Sequence, residues 1–240
     1  MNVREGRLPR MAAALMPREI GTWSLGALAL GALEGGLLGI IVKNQFSASI
    51  EPVILNFCVA LVASAPAYSN LSSFLFASMA SGRDKIVLLS RLMKLIALCL
   101  VVMSIPLKGT AGLFVFCIFT VIARMAWTGI LTVRAAVWRA NYRRRWRGQV
   151  TARLVQLSSL IIAGFSAAVG FILDWQGDSY RLAFPVAAAA MFAAALVYRS
   201  SPVRGHRKLI RAELAETQLG ETRMGLSMLF RVLREDRDFR

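Results

Sequence analysis

Two ionisable residues stand where ionisable residues are costly. Glu34 lies within Gly31-Ala-Leu-Glu-Gly-Gly-Leu-Leu-Gly39, and Arg124 lies within Val121-Ile-Ala-Arg-Met-Ala-Trp127, each inside a long apolar run. A charge at bilayer mid-depth costs ~3 kcal/mol or more on insertion scales, so each must face a bundle interior, a wet cavity or a partner. A carboxylate and a guanidinium so placed can act as a proton- or substrate-coupling pair open to a central cavity, or as a fixed pair that staples two helices. Trp127, one turn from Arg124, and Tyr68 and Asn70 are candidate linings of the same cavity. The last two belong to a polar cluster, Ser64, Pro66, Tyr68, Ser69, Asn70, Ser72 and Ser73, in another apolar run. Proline frees a backbone carbonyl there, which nearby hydroxyls and amides can satisfy or leave to a ligand.

Other chemistry is thinly represented. Cys58, Cys99 and Cys117 fall in apolar runs without metal-ligand spacing and read as small packing residues. The one histidine, His206, sits in a basic stretch, Arg204-Gly-His-Arg-Lys208, so bis-histidine haem and a membrane-depth catalytic histidine are excluded. The sequence holds no nucleophile elbow, phosphate-binding loop or aspartate-rich metal motif. Asp174 and Asp178 read as surface residues of a connection. No enzyme activity, metal or cofactor is expected.

The elements that must hold these residues follow from composition. The 240 residues are 57% hydrophobic with a mean hydropathy of +0.57, too apolar for a soluble domain to cover with polar surface and far too apolar for a disordered chain. The formal charge of +16 would suggest nucleic acid in a soluble protein. Here the cations crowd beside apolar runs, so anionic lipid headgroups are the expected partner and nucleic acid is not. The class is an all-α integral membrane bundle.

About 20 residues cross a hydrocarbon core at ~1.5 Å per residue. Six runs qualify, at about 20–42, 53–80, 86–106, 110–137, 152–173 and 182–198. The second is long and carries Pro66, which predicts a tilt or kink. The first is too long for a signal-peptide core and no small-residue cleavage site closes it. The domain reading is an N-terminal tail over 1–19, a six-helix domain over 20–199 and a basic amphipathic segment over 200–240, with Met224 to Leu233 suited to lie along a membrane face.

Charge sets the direction of threading. Trp138 to Arg153 carries six arginines and no acid, and reads as a loop between the fourth and fifth spans. With that loop inside, twenty-four cations fall on the inner side and three, Lys43, Lys108 and Arg181, on the outer. Both termini are then cytoplasmic. Glu34 and Arg124 both come ~21 Å from the inner ends of their helices by the standard rise, which permits an ion pair. Arg134, near an inner end, is expected to snorkel to headgroups. Gly31, Gly35 and Gly39, with Ala27, form a small-residue stripe for close helix packing or a dimer contact.

The chain resembles the N-terminal six-helix half of a major facilitator superfamily transporter. Six spans, two inner termini and a basic central linker carry the resemblance over the whole length. Asn141-Tyr142 followed by Arg147-Gly148-Gln149-Val150-Thr151 resembles the inner connection between spans four and five of many bacterial members, and Phe184-Pro185 and Leu233-Arg-Glu-Asp resemble that family's half-way region. Of the family's loop motif between spans two and three, Gly82-Arg83-Asp84-Lys85 stands here. The antiporter Gly-Pro motif in span five is absent. The resemblance implies a bacterial-type inner membrane and movement of a small solute by alternating access. It also implies gating roles for Gly82, Arg83, Asp84, Arg147 and Gly148, and a second six-helix half, from another copy or a separate chain. The rival reading is a non-transporting membrane scaffold built on the same bundle.

Overall fold

The computed structural model describes residues 10–175 and 180–218, and among them the chain is helical with no strand. The expected amphipathic stretch Met224–Leu233 lies outside the described residues. Ten α-helices follow one another: α1 Arg10–Ala32, α2 Gly35–Phe46, α3 Pro52–Ala63, α4 Ala65–Ser69, α5 Ser73–Ala80, α6 Lys85–Met103, α7 Gly109–Asn141, α8 Arg144–Trp175, α9 Tyr180–Arg199 and α10 His206–Gln218. A 3-10 turn, Asn70–Ser72, joins α4 to α5. Five stretches are long and apolar enough to cross a bilayer: Ala13–Phe46, which takes in α1 and α2, and helices α6, α7, α8 and α9. The pair formed by α3 and the α4–α5 segment also passes when taken together, bent by 51°.

The bend comes where proline dictates. Pro66 cannot donate to the helical ladder, so the helix ends at Ser64 and restarts. The Ser64 hydroxyl donates to the Ala60 carbonyl at 2.7 Å, and the Tyr68 hydroxyl donates to the Leu61 carbonyl at 3.0 Å, so the interrupted carbonyls keep partners. Ser69 and Ser72 likewise donate to Pro66 and Ser69 carbonyls. The polar cluster of this segment therefore mostly satisfies its own backbone.

A second interruption falls in the first stretch. Leu33 closes α1, and Glu34 is extended (φ −66°, ψ 129°) before α2 begins. The Gly31 carbonyl at this break accepts a hydrogen bond from the Ser166 hydroxyl of α8 at 2.9 Å. A Cβ on Gly31 would stand 3.2 Å from the Ile162 carbonyl oxygen, so glycine here permits the close approach of α1 to α8. Gly39 faces Val59 of α3 instead. The expected single small-residue face is thus divided by the break between two neighbours.

Partners are exchanged across the bundle. Helix α1 packs on α8 and α9, α7 packs on α6 and on the α3–α5 segment, and α6 packs on α9. The core between them holds Leu38, Leu89, Leu100, Leu113, Ile130, Phe184, Met191 and Tyr198, all essentially inaccessible. In contrast, most of α8 beyond its α1 contact is exposed, including Leu160, Phe171 and Trp175.

The structure corrects the sequence reading at the arginine-rich end. Trp138–Arg153 is not a loop: α7 runs to Asn141, α8 starts at Arg144, and only Tyr142 and Arg143 lie between. Arginine is a good helix former, and a charge run alone does not break a helix. The first helix begins at Arg10, so residues 10–19 are helical and continuous with the first span.

Candidate functional site

Glu34 stands at the break between α1 and α2, as the residue preceding the first turn of α2, with its side chain exposed and making no capping hydrogen bond. Arg124 is buried on α7, and its Nε lacks a hydrogen-bond partner. Among the described residues the two do not approach within ion-pair distance. Tyr68 commits its hydroxyl to the Leu61 carbonyl. Asn70 is exposed in the 3-10 turn, while neighbouring Ser69 accepts from Thr128 of α7 at 3.3 Å. Trp127 stacks on Trp23 of α1, with ring centroids 5.2 Å apart.

Toward the arginine-rich end a more tightly bound cluster appears. Arg134 is not snorkelling: its Nη2 donates to Glu19 Oε2 at 2.9 Å, with both side chains 4% exposed. The guanidinium carbon lies 3.4 Å from the ring centre of Trp23 and 3.9 Å from that of Trp138, an aromatic sandwich that replaces water around the cation. The Tyr198 hydroxyl of α9 donates to Glu19 Oε1 at 3.3 Å. Trp138 meets Tyr142 edge-on. Side chains therefore touch in sequence from Trp127 through Trp23, Arg134 and Trp138 to Tyr142, tying α1 to α7, and Tyr198 joins α9 through Glu19.

Burial pushes the Tyr142 phenol well above its ordinary range, Glu19 adding in the same direction and Arg134 opposing. Glu19 and Tyr198 were not among the residues singled out from sequence. A signal existed: Glu19 and Trp23, like Arg134 and Trp138, are four apart and so share a helical face.

The remaining gating candidates lie at the same end. Asp84 caps α6, its Oδ1 accepting from the Ile86 and Val87 amides at 2.9 and 3.2 Å. Its other oxygen lies 3.3 Å from His206 Nε2. Gly82 has φ +67°, a left-handed conformation suited to glycine, and a Cβ there would collide with Leu214 of α10. The Gly82 amide and the buried Lys85 ammonium both donate to Glu213 of α10. Asn141 accepts from the Arg204 amide and donates to the Pro202 carbonyl. Helix α10 is thereby fastened beneath the α5–α6 turn. Arg83 and Gly148 are exposed, and Arg147 Nε donates to the Tyr142 carbonyl at 3.1 Å, closing the corner between α7 and α8.

The three cysteines are buried and unbridged, and no group of three metal-ligating side chains occurs among the described residues. The chain is thus an all-helical protein with several helices able to span a membrane. No protein family, curated protein or solved structure matches it.

Proposed function

We propose that the chain is a six-span half of a transporter of the major facilitator type, which moves a small solute by alternating access together with a second half. Counting α1–α2 as span one and α3–α5 as span two, the exchange of partners carries this reading. Span one pairs with five and six as span four pairs with two and three, and spans three and six pair with each other. Span one runs opposite to span four, so the two triplets are inverted copies in arrangement, the relation on which many transporters are built. The match is incomplete, since α2 packs closely on α3 while α7 and α8 meet lightly.

The candidate site fits the same reading. A discontinuous span with an ionisable group at its break, at half depth, is how such proteins present a coupling residue to solute or proton. Arg124 supplies the opposing charge, with Trp127, Tyr68 and Asn70 nearby. The arginine-rich end is placed in the cytoplasm by charge asymmetry, as is each terminus. The exposed length of α8 is a surface for the second half, a further copy or a separate chain.

Proteoliposomes with an imposed pH gradient test the proposal against pooled labelled metabolites. Wild-type chain, supplied with its second half where one is encoded, should accumulate at least one solute in a protonophore-sensitive way, and Glu34→Gln should abolish that accumulation. Accumulation unchanged in Glu34→Gln overturns the coupling role. No accumulation from a well-folded assembly, with partner proteins co-purifying, supports a membrane scaffold instead.

A further inference from the structure

Helices α6 and α9 leave a groove of about 430 Å³ between them. The walls repeat at helical spacing: Lys94, Ala97 and Val101 on α6, and Pro185, Ala188 and Phe192 on α9. The alanines make a flat floor, and Val101 and Phe192 stand half exposed at the rim. Lys94 is the one charged group in the lining, its ammonium 5.8 Å from the centre of the Phe192 ring. Neither α6 nor α9 contains an acidic residue, and among the described residues no carboxylate pairs with Lys94.

Lys94 lies nine residues into α6, ~13 Å from the arginine-rich end. Helical side chains lean toward the N-terminus, so a lysine here can snorkel its ammonium back toward that end and its headgroups. Above it runs an apolar channel about two turns long, open to the outside. A basic residue beneath an open apolar slot between spanning helices is complementary to one kind of molecule, an anionic head on a hydrocarbon chain.

We propose that this groove holds one acyl chain of an anionic membrane phospholipid from the cytoplasmic leaflet, with Lys94 pairing its phosphate. The occupant replaces the missing carboxylate partner of Lys94 and covers the alanine floor. The inference rests on the membrane reading given above but is independent of transport, since the groove lies on α6 and α9 rather than at Glu34.

The test uses the full chain in nanodiscs carrying either phosphatidylglycerol or phosphatidylcholine with the same photoactivatable acyl chain, and maps cross-links by mass spectrometry. Peptides from α6 and α9 should be labelled about fivefold more by the phosphatidylglycerol probe, the ratio that one cation near an anionic surface supplies. Lys94→Gln should bring that ratio near one, and Ala188→Leu should reduce labelling by both probes. Arg143→Gln, an exposed cation elsewhere, should leave the ratio unchanged. Equal labelling by the two probes in the wild type, or a preference that survives Lys94→Gln, overturns the proposal alone. Failure of the chain to enter the discs removes the membrane reading and the proposal with it.

Discussion

Arg134 and Glu19, 115 positions apart in sequence, form an ion pair of 2.9 Å from which solvent is almost wholly excluded. Removing one partner of such a pair leaves the other charge buried and alone, which typically costs about 3–5 kcal/mol. Glu19→Gln and Arg134→Met should therefore each lower thermal stability in detergent sharply. The double variant Glu19→Leu with Arg134→Met should lose much less than the sum, because no unpaired charge remains. Arg134→Lys should not restore stability, since an ammonium cannot lie flat between Trp23 and Trp138. A small loss in Glu19→Gln beside equally large losses in Arg134→Met and the double variant would show that the stack, not the pair, is what matters.

The contact at Gly31 predicts a different failure. Gly31→Leu should drive α1 away from α8, because even a Cβ would meet the Ile162 carbonyl at 3.2 Å. Cysteines placed one on each helix should then lose disulfide cross-linking. Ser166→Ala removes only the hydrogen bond to the Gly31 carbonyl and should cost about 1 kcal/mol while leaving the cross-link intact.

Helix α10 should be released by small changes. Glu213→Gln weakens the contacts with Lys85 and the Gly82 amide, and limited proteolysis near Arg204 and Gly205 should speed up severalfold. Lys85 is the more buried partner, with 7% side-chain exposure against 24% for Glu213, so Lys85→Met, which puts an apolar group there, should be milder for the bundle than Lys85→Ala. Unchanged cleavage in Glu213→Gln would mean that the Asn141, Leu214 and Asp84–His206 contacts hold the helix without it.

Arg143, Arg144 and Arg145 are all exposed at the corner between α7 and α8. If they act by orientation, replacing all three with Gln should raise the fraction of chains threaded the wrong way. Accessibility of single cysteines to a membrane-impermeant reagent measures that fraction. Normal threading with altered solute binding would assign the run to the site instead.

Much of the helical plan is readable from apolar runs alone, because a long run that excludes charge leaves the backbone no better arrangement in lipid than a helix. The kink near Pro66 is readable for the same local reason. The resemblance implies a gating role for Asp84, while its capping of α6 is visible in the structure. What is not readable is pairing at a distance. Glu19 and Arg134 each sit near a span end, where solvent or headgroups explain a charge well enough. Only the folded arrangement of α1 against α7 brings them together. Trp138 to Arg153 misleads for another reason: its charge density resembles a connection, whereas arginines on two helix ends cost the helices little. The break at Leu33 and Glu34 is likewise hidden, since equal depth along two ideal helices assumes that the first span is continuous.

That break has a mechanical meaning. Helix α1 is bound to α8 and α9, whereas α2 is bound to α3, and only the backbone from Leu33 to Glu34 joins the two. It can serve as a hinge: rotation by ~10° there swings the far end of the twelve-residue α2, ~18 Å away, by ~3 Å. Glu34 lies at the pivot, so such a rotation would carry α2 while leaving the backbone position of Glu34 nearly fixed.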